Sequence, residues 1–272
     1  MNYLQFDFEI ESPGQSEKLV ALLAEQGFEG FEEEEDSLSA FIPENSFNED
    51  GFSRIIDLFD TVSYTKTIME NINWNKKWEE DFKPVIVEDF VAIRAGFHHP
   101  IKYVAHEIII TPKMSFGTGH HATTYLMIKQ MRELDFLGKS VLDFGTGTGI
   151  LAILASKLGA EKILAIDYDE WSIANTNENI VQNGCSNIRV GQSDKIPGTE
   201  KFDIILANIN LNVITSNLSS IVMSSFAGAT ILLSGFLKEN ETDLVKMLEE
   251  SGLQYLTTMQ RGDWIVVMAK KP

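Results

Sequence analysis

A single cysteine, Cys185, stands in the whole chain, so no disulfide can close within it and a cysteine-built zinc site is not expected. No apolar stretch approaches the roughly 20 residues needed to cross a bilayer. Met1–Asp7 lacks a basic region followed by an apolar run, so the start does not read as a signal peptide, and the expected compartment is the cytoplasm. Internal repeats are absent, and Glu32–Asp36 is the one low-complexity run. Basic charge is scarce: 22 Lys and Arg face 40 Asp and Glu, a formal net charge of −18.

That deficit is uneven. Residues 1–71 hold seventeen acids against Lys18, Arg54 and Lys66, a net −14, while the remaining residues carry −4. An acidic face repels phosphate backbones and anionic lipid, so neither direct nucleic-acid binding nor a membrane is expected. Two readings of the acidic segment stay open: a solvated face that keeps the protein soluble, or a docking surface for a strongly basic protein.

What the chain does have is an ordinary supply of core residues, 44% hydrophobic over 272 positions. That is enough for one large domain and a small one, or for two of middling size. Tyr3–Ile10 alternates as a half-buried strand does, Ser12-Pro13 opens a helix carrying Leu19, Leu22 and Leu23, and Gly27 stops it. Phe28–Glu34 and Leu38–Ile42 read as strands, Phe52, Ile55, Ile56 and Phe59 as a helix, and Tyr64–Ile72 as a further strand. The order β-α-β-β-α-β predicts a small ferredoxin-like α+β domain over residues 1–71. Trp74, Trp78 and Phe82 share one helical stripe before Pro84, which predicts a linker helix over 72–84. Val85–Ile93 and Tyr103–Ile110 lead as strands into a second domain, 85–272.

From Lys139 onward short apolar runs (Val141–Phe144, Ile163–Ile166, Ile188–Val190, Ile204–Ala207, Thr230–Leu233) alternate with helical segments at Ile150–Leu158, Trp171–Gln182 and Leu211–Met223. This predicts a parallel sheet with helices on both faces, closed by an antiparallel hairpin of Gln254–Met259 and Trp264–Ala269.

The strongest local signal is Asp143-Phe144-Gly145-Thr146-Gly147-Thr148-Gly149, a strand running through a glycine turn into a helix. Gly145 and Gly147 let the backbone approach a ligand where a Cβ would collide. A dinucleotide-binding dehydrogenase would carry its third glycine where Ile150 stands; here it comes one residue early, at Gly149. With Asp143 ahead of it, the pattern favours an S-adenosylmethionine-dependent methyltransferase. Asp167, ending the second strand, can accept both hydrogen bonds of a ribose diol, although it or Asp169 or Glu170 could instead cap a helix. Asp194 is a weaker candidate for the adenine amine. The fourth strand delivers Asn208 to the carboxyl edge of the sheet, where ligands bind in open α/β folds.

Phe116-Gly117-Thr118-Gly119-His120-His121-Ala122-Thr123-Thr124, about twenty residues ahead of the glycine turn, closely resembles a loop of the PrmA family, which methylates protein eleven of the large ribosomal subunit. The resemblance extends through Asp143–Ala155, Ala165–Asp169, Ala207-Asn208-Ile209, Ser234-Gly235 and Trp264, and upstream through Trp74, Trp78 and Phe82-Lys83-Pro84. It implies a Rossmann-like class I methyltransferase domain with S-adenosyl-L-methionine as cofactor. Thr124, Gly145, Asp167 and Asn208 are the implied cofactor contacts, with Phe116, Thr118 and Gly147 beside them, and no metal. It also implies an N-terminal domain that recognises the ribosomal protein. Departures occur at Pro112-Lys113-Met114-Ser115, at Asn210-Leu211-Asn212 and near Phe97-His98-His99-Pro100, and they leave the target amines open.

Asn208 is the expected catalytic residue: its side-chain oxygen can accept hydrogens of an acceptor amine and aim the lone pair. His120 and His121 are alternatives as general bases, or as part of a lid, and His98-His99 reads as a surface turn. The rival functions are methylation of another basic protein or of a small amine, and a non-catalytic cofactor-binding module. The presence of Asn208 argues against the module.

Overall fold

The computed structural model describes residues 2–34, 36–59, 62–69, 82–112, 119 and 121–272. The chain divides into two compact units, Met1–Asp81 and Phe82–Pro272. The expected linker helix over 72–84 falls almost wholly outside the described residues. Among the described residues no helix is long and apolar enough to cross a membrane.

The first unit runs β1 (Tyr3–Glu9), α1 (Pro13–Glu25), β2 (Gly30–Glu33), β3 (Ser37–Pro43), α2 (Glu49–Ile56) and β4 (Tyr64–Met69). The sheet order is β2-β3-β1-β4 with every pair antiparallel, the ferredoxin-like arrangement. Period-2 alternation sends Leu4, Phe6 and Phe8 of β1 and Leu38, Ala40 and Ile42 of β3 to one buried face. Leu19 and Leu23 of α1 and Phe52 and Ile55 of α2 close over that face. Phe6 and Phe52 meet with ring centroids 4.5 Å apart. Each such ring contributes about 1.5–3 kcal/mol by leaving water, as do the buried leucines and isoleucines packed around it.

The second unit is built on a seven-stranded sheet of β8 (Ser140–Phe144), β9 (Lys162–Asp167), β10 (Ile188–Gln192), β11 (Phe202–Asn208), β12 (Ser225–Leu237), β13 (Gln254–Arg261) and β14 (Trp264–Lys270). Its order is β10-β9-β8-β11-β12-β14-β13, parallel from β10 to β12. The last two strands form the expected hairpin, with β14 inserted antiparallel beside β12. The helices are α3 (Ala122–Met131), α4 (Ile150–Lys157), α5 (Glu170–Gln182), α6 (Leu211–Met223) and α7 (Glu241–Glu250). Ile150–Ala155 of α4 are all buried, as befits a helix apolar on every side. Two apolar clusters form the core of this unit, one including Ile153 and Leu206 and the other Leu142 and Leu233. The chain begins the sheet at β8, works outward to β10 and returns to β11, so the order reverses between β8 and β11. That reversal is where open α/β sheets bind ligands, at the carboxyl ends of the strands.

A separate three-stranded sheet of β5 (Val85–Val87), β6 (Val91–Ala95) and β7 (His106–Ile110) precedes it. The single strand expected over Val85–Ile93 is in fact an antiparallel hairpin turned at Glu88, whose φ is +53°. The turn carries neither glycine nor proline, so no local break signal marks it. The free edge of β7 is closed by α5 and the residue that ends it. Asn183 accepts from Ile109 N and donates to Ile109 O, and Asn179 accepts from Thr111 N.

Candidate functional site

β8 pairs Phe144 with Ile166 of β9 and with Ala207 of β11. One position further along, Asp167, Gly145 and Asn208 therefore sit at one level across three neighbouring strands, a span of roughly 10 Å. Three expected site residues thus share the carboxyl edge at the switch point.

The glycine turn is fixed from several directions. Gly145 N and Thr146 N both donate to Ile166 O, and Gly147 N donates to Asp167 Oδ2 at 2.9 Å. Thr176 Oγ1 and Asn179 Nδ2 of α5 hold the carbonyls of Gly147 and Thr148. Gly145 has φ +78°, and a Cβ there would lie 2.1 Å from Ile209 Cγ2. Any side chain at this position would fill the approach to the turn.

Asp167 is buried, and each of its oxygens accepts one backbone N–H, from Gly147 and from Asp169. A carboxylate has about four acceptor sites, so this leaves room for a diol. The helix cap that Asp167 might have provided falls to Asp169, whose side chain accepts from Ser172 N. Asp194, beyond β10, is exposed.

Beneath the turn lies Asp143, a buried carboxylate that the sequence marked only as part of the motif. Its Oδ2 accepts from Thr146 Oγ1 at 2.7 Å and Ala152 N at 3.1 Å. Burial pushes its pKa up to about 6; those two bonds pull the other way, and the neighbouring Asp167 charge adds to the rise.

Asn208 Nδ2 donates to Thr124 Oγ1 at 3.3 Å, which joins β11 to the first turn of α3. Asn208 Oδ1 is buried and has no hydrogen-bond partner among the described residues. A buried amide oxygen left unmatched costs on the order of 1–3 kcal/mol, a cost that a donor brought to it would relieve. Thr124 is itself buried.

His121 caps α3, its Nδ1 accepting from Thr123 N and lying 2.8 Å from Thr123 Oγ1. Its ring stands edge-on to Trp264, with centroids 4.4 Å apart. Phe116, Thr118 and His120 lie outside the described residues. His98 belongs to the turn after β6, where its Nδ1 accepts from Ala95 N. A cavity of about 610 Å³ lies at the opposite edge of the same sheet, where Ser140, Lys162 and Ile188 begin their strands. That edge holds none of the residues gathered at the switch point.

A family model described as Ribosomal protein L11 methyltransferase (PrmA) matches residues 10–272. The chain is 41% identical to the ribosomal protein L11 methyltransferase of Porphyromonas gingivalis over 90% of its own length and 87% of the relative's. It is 36% identical to the Bacteroides fragilis protein of the same name, covering 98% of this chain and 99% of the other. Among solved structures, a ribosomal protein L11 methylase from Lactobacillus delbrueckii subsp. bulgaricus superposes with a TM-score of 0.65 at 26% identity, covering 70% of this chain and 99% of that one.

Proposed function

Because this chain belongs to the ribosomal protein L11 methyltransferase family, we propose that it transfers methyl groups from S-adenosyl-L-methionine to amino groups of ribosomal protein L11, with Asn208 orienting the acceptor. The accepting amines are lysine side chains, the N-terminal amine, or both. The proposed site of action is the cytoplasm.

The residues at the switch point suit this cofactor. Gly145 and Gly147 keep the turn free of side chains for its amino-acid portion, Asp167 has acceptor sites left for its ribose, and Thr124 stands opposite Asn208. Phe116 and Thr118 complete the proposed set. Bound there, S-adenosyl-L-methionine supplies a sulfonium methyl group for in-line displacement by an amine.

The acceptor must present a neutral lone pair. For a lysine, losing the proton at pH 7 costs about 4.6 kcal/mol, and for an α-amino group about 1. Positioning can supply roughly 7–11 kcal/mol, so holding the amine outweighs that cost. The observation that carries the proposal is the buried, unmatched Oδ1 of Asn208. It accepts an amine hydrogen and so aims the nitrogen lone pair, while Nδ2 stays tied to Thr124. Asn208 takes no proton in this scheme.

The acidic segment, residues 1–71, is proposed to dock the basic substrate, and residues 85–272 to carry the chemistry.

Transfer of labelled methyl groups to ribosomal protein L11 by the native chain and by Asn208→Ala tests the reading. Turnover should fall by more than cofactor affinity does, and equal losses in both would make Asn208 a cofactor contact only.

A further inference from the structure

His121 lies in the loop that marks the family, yet its ring is occupied with architecture. It is the N-cap of α3, with extended backbone at φ −72° and ψ 142°. Helix caps are usually Ser, Thr, Asp or Asn, whose short side chains reach the first-turn N–H groups. Here an imidazole does that work through Nδ1, which receives Thr123 N at 3.4 Å and faces Thr123 Oγ1 at 2.8 Å. The carbonyl of His121 accepts from Thr124 N and Tyr125 N, so both its side chain and its backbone define the turn that carries Thr124.

The same turn is gripped from outside by the β13–β14 hairpin. Trp264 meets the His121 ring at 4.4 Å and 73°. Arg261 lies over the Tyr125 ring, 3.7 Å from its centroid. The hairpin tip is in turn tied to β12, by Lys238 N donating to Asp263 O and by the pairing of Leu237 with Trp264. A continuous set of contacts therefore runs from Trp264 through His121 to Thr124, and from Thr124 Oγ1 to Asn208 Nδ2.

We propose that His121, braced by Trp264, is a positioning residue that holds Thr124 against Asn208 and thereby fixes which end of the Asn208 amide faces the acceptor. The inference rests on the reading of Asn208 as the orienting group. With Nδ2 engaged by Thr124, the amide turns its carbonyl oxygen inward. Once the first turn of α3 shifts, Nδ2 is released, the amide rotates, and a donor meets the hydrogens of the amine.

This role differs from general base catalysis in a measurable way, because a carboxamide can cap a helix but cannot take up a proton. The full chain should be assayed on ribosomal protein L11, with cofactor affinity measured by calorimetry, for His121→Ala, His121→Asn, Thr123→Val and Asn208→Ala. Loss of the cap in His121→Ala should lower kcat about tenfold, with KM for the protein substrate changed less than about threefold and cofactor affinity falling by less than kcat does. His121→Asn restores an acceptor at the cap and should return kcat to within about threefold of the native chain. Thr123→Val keeps the ring and nearly the same shape, so it serves if His121→Ala does not fold, and it too should lower kcat.

Equal kcat in His121→Asn and His121→Ala overturns the proposal in favour of a base, and native kcat in His121→Ala or Thr123→Val overturns it outright. Native kcat in Asn208→Ala removes the reading of Asn208 and this inference with it. An impaired Asn208→Ala beside unaffected His121 and Thr123 variants removes the inference alone.

Discussion

A Cβ placed on Gly235 would lie 2.2 Å from the carbonyl oxygen of Ile209 and 2.6 Å from its carbonyl carbon. The ends of β11 and β12 thus touch backbone to backbone immediately after Asn208, and Ile209 N donates to Ser234 O at 3.0 Å. Gly235 also has φ +102°, which a side chain disfavours. Gly235→Ala should therefore cost about 2 kcal/mol or more of stability. Methyl transfer should suffer beyond that loss because Asn208 is displaced. Urea denaturation and turnover at a temperature where the variant is folded check both parts.

Gly145→Ala puts its Cβ 2.1 Å from Ile209 Cγ2. Cofactor affinity should drop about tenfold or more, since the turn must move to admit the methyl group. Adding Ile209→Ala removes the clashing atom but not the strain at φ +78°, so it should restore affinity only in part. Calorimetry on the single and double variants reads the difference, and full restoration would mean the backbone conformation at Gly145 does not matter.

Asp167→Ala should weaken S-adenosyl-L-methionine binding by at least about 1 kcal/mol, the scale of a charge-assisted hydrogen bond. The change also frees Gly147 N, which Asp167 holds at 2.9 Å. Unchanged affinity by calorimetry would take Asp167 out of the ribose site.

The buried Asp143 makes stability depend on pH. Its folded-state pKa, about 6, exceeds the ordinary 3.8, so its favourable contribution is complete below about 3.8 and is lost as pH rises through 6. Asp143→Asn removes the titration while keeping an acceptor for Thr146 and Ala152. The stability of this variant relative to the native chain should climb between about pH 4 and 6 and then level off, by on the order of 3 kcal/mol. Denaturation across that pH range checks it; a difference that does not vary with pH would show that Asp143 is not the titrating group.

A chain beginning at residue 82 retains the compact second unit and should bind S-adenosyl-L-methionine nearly as well as the full chain. It should lose most methylation of intact ribosomal protein L11 while keeping slow activity on a short amine-bearing peptide. The net −14 of residues 1–71 should make the full chain's apparent affinity fall with salt, as the screening length shrinks from about 10 Å at 0.1 M to about 3 Å at 1 M. Steady-state methylation by both chains over a salt series decides the matter. Full activity on the intact protein without the first unit would leave the acidic segment as a solubility device.

Local signals made much of this architecture readable. Alternation fixes β1 and β3, and the apolar runs at Val141–Phe144, Ile163–Ile166 and Ile204–Ala207 are strands buried on both faces. The glycine turn falls between β8 and α4, as its spacing requires. Less readable were features that depend on distant partners. Thr230–Leu233 extends to Ser225–Leu237 because β12 pairs with β11 on one side and with β14 on the other. Asn179 and Asn183 would pass for solvent-facing helix residues, but they close the edge of β7, and Asn179 also steadies the glycine turn by donating to Thr148 O. His121 was readable as an ionisable group in a glycine loop; that its Nδ1 is spent on a helix cap follows only from the path of α3.

The sheet order has a consequence for how the protein is made. β14 is synthesised after every other strand of the large sheet, yet it lies inside the sheet, between β12 and β13. While the nascent chain is still short of Trp264, β12 exposes one unpaired edge and the first turn of α3 has no indole behind it. The cofactor turn, by contrast, draws on strands and helices that end by Asn208. During translation the glycine turn can therefore form before β14 pairs with β12 and before Trp264 reaches His121 at the start of α3.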